Sequence, residues 1–85
     1  MSRYVVLDFE TYPVNGKSYI MEIGCVEVID GVIGATFQTL VRPVAEVSSF
    51  VLNLTGISAE DLKNAPEFID IMLPFYNFIQ NRYYT

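Results

Sequence analysis

The chain has 85 residues, of which 52% are hydrophobic and 18% charged, and its net charge is −5. This is the composition of a single small globular domain, and a chain of this length buries only about 60–65% of its unfolded surface. The acidic balance argues against broad electrostatic binding to nucleic acids, so a polyanionic substrate would need metal ions beside the protein. Histidine, the commonest general base near neutral pH, is absent.

The cysteine content and the N-terminus bear on location. The single cysteine, Cys25, excludes an internal disulfide and suits a reducing compartment. The first residues, Met1–Tyr4, lack the charged region, the apolar run and the cleavage site of a signal peptide. No stretch approaches the roughly 18 apolar residues of a membrane span. We therefore expect a cytoplasmic protein that does not enter membranes.

The first half of the chain predicts three strands. Tyr4–Phe9 is a short apolar run rich in β-branched residues, typical of a strand buried on both faces, and residues 13–16 predict a loop after it. Residues 18–29 alternate between apolar and polar side chains as a second strand. The dipeptide Asp30-Gly31 is a strong hairpin signal, so residues 32–41 should return as a third, antiparallel strand.

The second half of the chain predicts helices. Residues 49–54 suggest a short helical turn, Ser58 is a good N-cap with Asp61 three residues on, and Pro66 fits the first turn of a longer helix. Pro74 should kink that helix or shift its boundary. Its apolar stripe at helical spacing comprises Phe68, Ile71, Met72, Phe75, Phe78 and Ile79.

Two carboxylates, Asp8 and Glu10, stand at the end of the first strand. Residues two apart in a strand share a face, with Cα atoms about 6.5 Å apart. The two negative charges of such a pair repel each other unless a shared proton, a basic side chain or a divalent cation neutralises them. Carboxylate oxygens suit Mg²⁺ or Mn²⁺, and carboxylate-held metal pairs catalyse displacement at phosphorus. A solvated strand end is the alternative interpretation.

Three further residues have structural interpretations. Cys25 lies in an apolar strand and is expected to be an ordinary buried thiol. Glu22 is expected to face solvent from its strand. Gly24 is expected to allow close backbone packing rather than phosphate binding, because no glycine-rich loop surrounds it.

Four segments, in order, resemble one family: VVLDFET, MEIGCVEV, FQTLVRP and LTGISAEDLKNAPEF. Together they resemble the N-terminal half of a DEDD-type 3′–5′ exonuclease domain, the group of polymerase proofreading subunits and ribonuclease T. The resemblance covers essentially all of residues 1–85, which we expect to be the N-terminal portion of one exonuclease domain. It implies an α/β, ribonuclease-H-like fold, reduced here to a mainly antiparallel three-stranded sheet followed by helices.

The resemblance also implies the site. Asp8 and Glu10 match the first motif and would bind Mg²⁺ or Mn²⁺ in a two-metal reaction at the 3′ end of DNA or RNA. The residues implied to contact the terminal nucleotide are Phe9, Thr11, Val14, Thr55 and Gly56. The chain departs from the family at Tyr12-Pro13, where Thr-Gly is common.

The family's remaining aspartates and its general-base histidine would lie beyond Thr85. We therefore expect the chain to be inactive alone, and to associate as a homo-oligomer or with the other half of the domain along Tyr4–Phe9. The alternatives are a non-enzymatic remnant that binds a partner or nucleic acid, and a small α+β domain in which the two carboxylates are incidental.

Overall fold

The computed structural model describes residues 2–83. Within them, three strands precede three helices in the order β1 (Arg3–Val14), β2 (Lys17–Ile29), β3 (Val32–Leu40), α1 (Ser49–Thr55), α2 (Ala59–Lys63) and α3 (Phe68–Tyr83). The strands form one antiparallel sheet in the order β1-β2-β3. The predicted sheet followed by helices is confirmed.

Two-residue turns connect the strands. Asp30 (φ 49°) and Gly31 (φ 81°) form the predicted turn between β2 and β3, and Asn15 (φ 50°) and Gly16 (φ 81°) form another between β1 and β2. Two successive positive φ angles match the twist of the flanking strands, which favours Asn-Gly and Asp-Gly. The prediction that the loop begins at residue 13 was therefore wrong. Pro13 lies within β1, where an edge strand tolerates its missing N–H.

The first strand lies at an edge of the sheet and is not buried on both faces. Its exposed apolar side chains are Tyr4 (48%), Val6 (49%), Leu7 (46%) and Phe9 (41%). Within residues 2–83, β2 is the only strand beside β1, and α3 covers only one face of the sheet. The prediction of burial on both faces was wrong because a local apolar run does not reveal which elements cover it.

Helix α3 forms the larger part of the core. Ile71 and Phe78 are buried against Ile23 and Cys25 of β2, and the Phe37 ring lies 5.8 Å from the Phe78 ring. Burial also raises the pKa of the Cys25 thiol, so this cysteine is the buried thiol that the sequence predicted.

The predicted stripe of α3 needs correction. Phe68 and Met72 are 47% and 46% exposed, whereas Ile71 and Phe78 are buried. Pro66 precedes the helix, which begins at Phe68 and continues through Pro74 without a change in its boundary.

Since none of the described helices is both long and apolar enough, the structure offers no helical membrane span in this part of the chain.

The helices α1 and α2 close one end of the sheet. Tyr12, Met21 and Leu62 form a second buried cluster, and Val51 and Leu52 of α1 pack against it. The predicted cap of α2 is confirmed: the Ser58 hydroxyl accepts a hydrogen bond from the Asp61 backbone N–H. The loop after β3 is fastened by the Tyr12 hydroxyl, which accepts a hydrogen bond from the Val44 N–H at 2.9 Å.

A buried ionic cluster joins β1, β2 and α3. Glu27 is 5% exposed, and its carboxylate accepts two hydrogen bonds from Arg3 at 3.0 and 3.1 Å and one from the Ala35 N–H at 3.2 Å. Arg82 Nε lies 3.8 Å from the same carboxylate. The Ala35 hydrogen bond, followed by Arg3, holds the Glu27 pKa below its ordinary value of 4.5 despite burial.

Candidate metal centre

The sheet register places the two carboxylates on the face away from α3. Phe9 pairs with Ile23, which is buried under α3, so Asp8 and Glu10 on either side of Phe9 point to the opposite face. Their Cα atoms are two positions apart in the strand, a distance of about 6.5 Å. Asp8 lies opposite Gly24, which has no side chain, so this neighbour leaves the space beside Asp8 open.

Neither carboxylate is neutralised within residues 2–83. Asp8 is exposed and Glu10 is half-buried, and no described side chain hydrogen-bonds or forms an ion pair with either. Arg3 and Arg82 are both directed to Glu27. A basic partner is thus excluded in this part of the chain, and the two interpretations that stay open are a divalent cation and a solvated strand end.

A third carboxylate lies close by on the same face. Glu22 is directly opposite Glu10, and it accepts a hydrogen bond from the Gln38 side-chain amide at 2.9 Å. In the described residues no group of three or more Asp, Glu, Cys or His side chains is arranged to hold a metal ion. The donor chemistry of Asp8 and Glu10 fits Mg²⁺ or Mn²⁺, but as part of a ligand set only.

A β-bulge follows the pair. Glu10 pairs with Glu22 but Thr11 pairs with Ile20, so Met21 is an extra residue of β2. Bulges re-aim side chains and are over-represented next to active sites. The extra residue of β2 is a methionine, without the glycine or proline that often marks an irregularity in a strand, so no local signal predicted the bulge.

The other predicted site residues lie near the same end of β1. Phe9 is 41% exposed at the sheet edge, and Thr11 is exposed directly after the bulge. Val14 is half-buried against the cluster that contains Tyr12 and Leu62. At the family departure Tyr12-Pro13, the chain stays extended and Tyr12 is only 2% exposed. Sequence reasoning missed this core role of Tyr12.

Thr55 and Gly56 end helix α1. The Thr55 hydroxyl donates to the Val51 carbonyl at 2.9 Å, and it accepts a hydrogen bond from the Ile57 N–H at 3.4 Å. Gly56 adopts φ 75° and donates its N–H to the Leu52 carbonyl at 2.9 Å, a left-handed cap that favours glycine. Val51 and Leu52 of α1 pack against the cluster of Tyr12, Met21 and Leu62, and Val14 of β1 packs against the same cluster.

Comparison with known proteins identifies the class. The family model described as exonuclease, of the RNase T type, matches residues 5–84. The chain therefore belongs to the DEDDh 3′–5′ exonuclease family, which confirms the resemblance drawn from its four segments. Members of this family are metal-dependent and act on nucleic-acid 3′ ends.

Particular relatives are polymerase components. The chain is 37% identical over 81 residues to a PolC-type DNA polymerase III of Thermotoga petrophila, which covers 94% of this chain and 6% of that protein. It is 36% identical over 86 residues to the DNA polymerase III epsilon subunit of Buchnera aphidicola subsp. Schizaphis graminum, covering 93% of this chain and 37% of that one.

Solved structures show the same fold. A full-length 3′-exonuclease superimposes with a TM-score of 0.80 at 26% identity, over 89% of this chain and 28% of that one. The nuclease domain of 3′hExo, a DEDDh family member bound to rAMP, also gives 0.80, at 25% identity over 92% and 44%. The ribonuclease-H-like class is thereby confirmed. The chain spans less than half the length of each of these four proteins.

Proposed function

We propose that this chain supplies the first two metal ligands, Asp8 and Glu10, of a 3′–5′ exonuclease that hydrolyses phosphodiester bonds from nucleic-acid 3′ ends. One observation carries the proposal. In a chain of the exonuclease family, two carboxylates without a basic partner among residues 2–83 share an open sheet face directly before a β-bulge. Glu10 also lies directly opposite Glu22, an unfavourable contact between like charges that a bound cation would relieve.

The chain's own residues bind and orient the substrate. Divalent cations held by Asp8 and Glu10 would stabilise the attacking and leaving oxygens. The residues proposed to contact the terminal nucleotide are Phe9, Thr11, Val14, Thr55 and Gly56. Thr11 follows the bulge and is exposed, so its side chain is accessible to a nucleotide. The Thr55 hydroxyl already donates a hydrogen bond to the Val51 carbonyl within α1. We therefore propose that Thr55 and Gly56 shape the nucleotide pocket through their backbone.

The 85 residues alone are proposed to be inactive. They contain no histidine to activate water, and loss of general-base catalysis alone costs about 10²–10⁴-fold. Among residues 2–83 only β2 pairs with β1, so the other edge of β1 presents unpaired backbone groups beside exposed apolar side chains, an arrangement that promotes pairing with a further strand. We propose that the rest of the domain, or a second copy, supplies this strand and completes the site.

Calorimetric titration with Mn²⁺ tests the metal ligands. The wild type should bind weakly, and the double variant Asp8→Ala, Glu10→Ala should not bind. Glu46→Gln is a control, since Glu46 is an exposed acidic residue of the loop after β3. Identical titrations for the wild type and the double variant would contradict the assignment. A 3′-labelled oligonucleotide should remain intact with the isolated chain, and binding of that oligonucleotide unchanged in the double variant would favour the non-enzymatic alternative.

A further inference from the structure

Gln38 of β3 and Glu22 of β2 form a hydrogen-bonded pair beside the proposed metal ligands. The Gln38 side-chain amide donates a hydrogen bond to Glu22 Oε2 at 2.9 Å. Glu22 lies directly opposite Glu10, and Gln38 lies directly opposite Gly24, which is itself opposite Asp8. Because these residues share the sheet face away from α3, the pair borders the two carboxylates of β1 on one side.

The register sets how far Glu22 lies from each proposed ligand. Residues directly opposite each other in an antiparallel pair have Cβ atoms about 4.5–5.5 Å apart, and diagonal neighbours are about 7–8 Å apart. Glu22 is therefore close to Glu10 and is the diagonal neighbour of Asp8, with no side chain at Gly24 to shield it. These positions follow from the pairing of β1 with β2 alone, so they do not depend on what the rest of the domain adds.

Glu22 is placed to act on a bound cation through its charge. In the part of the chain that the structure describes, no three carboxylates are arranged as a common ligand set. Glu22 therefore does not complete the ligands that Asp8 and Glu10 begin. A negative charge about 7 Å from a doubly charged cation nevertheless changes the affinity for that cation by about fivefold to tenfold in water of low ionic strength.

The donor that holds Glu22 is neutral. An arginine or a lysine at position 38 would pair with Glu22 and cancel its charge, whereas the Gln38 amide orients the carboxylate without cancelling its charge. The ion pairs formed within residues 2–83 involve the carboxylates of Glu27 and Glu67 and not that of Glu22. The sheet face thus keeps an arrangement that is unfavourable for strand pairing and favourable for attracting a cation.

We propose that Glu22 strengthens divalent-cation binding by Asp8 and Glu10 through its charge, without ligating the ion, and that Gln38 is the positioning residue that holds Glu22 there. This inference rests on the proposed function, in which Asp8 and Glu10 are metal ligands. It adds a residue pair on β2 and β3 that tunes the affinity of the site for its cation.

Three substitutions that each raise the net charge by one test the role of the pair. Glu22→Gln removes the carboxylate, Gln38→Lys cancels its charge while still donating a hydrogen bond to it, and Glu46→Gln is the matched control in the loop after β3. The electron paramagnetic resonance signal of free Mn²⁺ measures the affinity at about 20 mM salt. The affinity should fall about fivefold to tenfold in the first two variants and stay unchanged in the control.

Thermal unfolding with a chelator tests whether the pair has a structural role only. Without a cation, Glu22→Gln and Gln38→Lys should both be at least as stable as the wild type, because each reduces the repulsion between Glu22 and Glu10. Weaker Mn²⁺ binding accompanied by a lower melting temperature in the chelator would show that the pair only supports the sheet, and would overturn the proposal.

Salt tests whether Glu22 acts through its charge. At about 500 mM salt the difference in Mn²⁺ affinity between the wild type and Glu22→Gln should shrink, because salt screens interactions between separated charges. A difference that salt leaves unchanged would show that Glu22 ligates the ion directly and would overturn the proposal.

The double variant Asp8→Ala, Glu10→Ala separates failure of this proposal from failure of the proposed function. If the double variant loses Mn²⁺ binding but Glu22→Gln or Gln38→Lys binds as the wild type does, Asp8 and Glu10 remain ligands and only the role of the pair is overturned. If the wild type binds no Mn²⁺, or the double variant binds it equally well, both proposals are overturned.

Discussion

Glu10 lies directly opposite Glu22 across the ladder between β1 and β2, on the sheet face that also carries Asp8. Like charges at directly opposed positions destabilise an antiparallel pair. The Gln38 amide hydrogen-bonds only the Glu22 side of this pair. The sheet therefore retains an unfavourable contact at the place where we propose that a cation binds, as is common where function opposes stability.

Glu10→Gln is expected to stabilise the metal-free chain by about 0.2–1 kcal/mol, because it removes the repulsion from Glu22. The same substitution should abolish any rise in melting temperature on adding Mn²⁺, because a ligand that binds only the folded state stabilises it. Thermal unfolding with a chelator and then with Mn²⁺ measures both effects. Glu46→Gln should show neither, and a Glu10→Gln chain that keeps the Mn²⁺ response would contradict the prediction.

Tyr12→Phe is expected to destabilise the chain by about 1 kcal/mol, because the Val44 N–H loses its acceptor in the loop after β3. Tyr19→Phe is the control: the two rings lie 5.8 Å apart, but Tyr19 is 37% exposed and should change stability little. Urea unfolding compares the two variants. Equal midpoints would show that the Tyr12 hydroxyl does not fasten the loop.

Gly34→Ala is expected to lower the melting temperature, because a Cβ atom there would lie 2.6 Å from Glu27 Oε1. The carboxylate would have to move away from its hydrogen bonds with Arg3 and Ala35. Gly24→Ala is the matched control in the neighbouring strand, where the nearest atom would be the Asp8 carbonyl oxygen at an ordinary 3.7 Å. A Gly34→Ala chain as stable as Gly24→Ala would show that Glu27 moves without cost.

Glu27 should make the chain sensitive to acid. The pKa of Glu27 is held below 4.5 in the folded state, chiefly by the Ala35 N–H and Arg3, so the folded state favours the ionised form. The stabilisation is fully present above about pH 4.5 and is lost as the pH falls through the lowered native pKa. Glu27→Gln should therefore be less stable than the wild type at pH 7. Urea unfolding as a function of pH should show that difference shrinking below pH 4.5, and a constant difference would exclude Glu27 as its source.

The turns and helix caps were predicted better than the burial of the strands, because turns and caps depend on local chemistry. Asp30-Gly31 and Ser58 act as predicted because positive φ angles and orphan N–H groups are properties of a few adjacent residues. The burial of Tyr4–Phe9 was mispredicted because it depends on distant elements. Pro13 was interpreted as a strand breaker, but it lies in β1, an edge strand, where a residue without a backbone N–H is tolerated.

The candidate site was predictable in part. The spacing of Asp8 and Glu10 fixed their common face, since alternation is intrinsic to a strand. The bulge at Met21 and the carboxylate of Glu22 opposite Glu10 depend on strand register, which the sequence of β1 alone does not determine. The contact of Glu27 with Arg82 spans 55 residues of sequence and likewise has no local signal.

A chimera tests the central claim most directly. In this chimera, residues 4–83 would replace the corresponding segment of the full-length 3′-exonuclease of similar structure, and the rest of that enzyme would be left unchanged. We predict that the chimera shortens a 3′-labelled oligonucleotide in the presence of a divalent cation. The rate should fall by about 10³-fold or more in Asp8→Ala and in Glu10→Ala, because metal stabilisation of the transition state contributes several kcal/mol. The control Glu46→Gln should keep the activity. A folded chimera without activity, or one whose activity survives both substitutions, would contradict the assignment of Asp8 and Glu10 as metal ligands of an exonuclease.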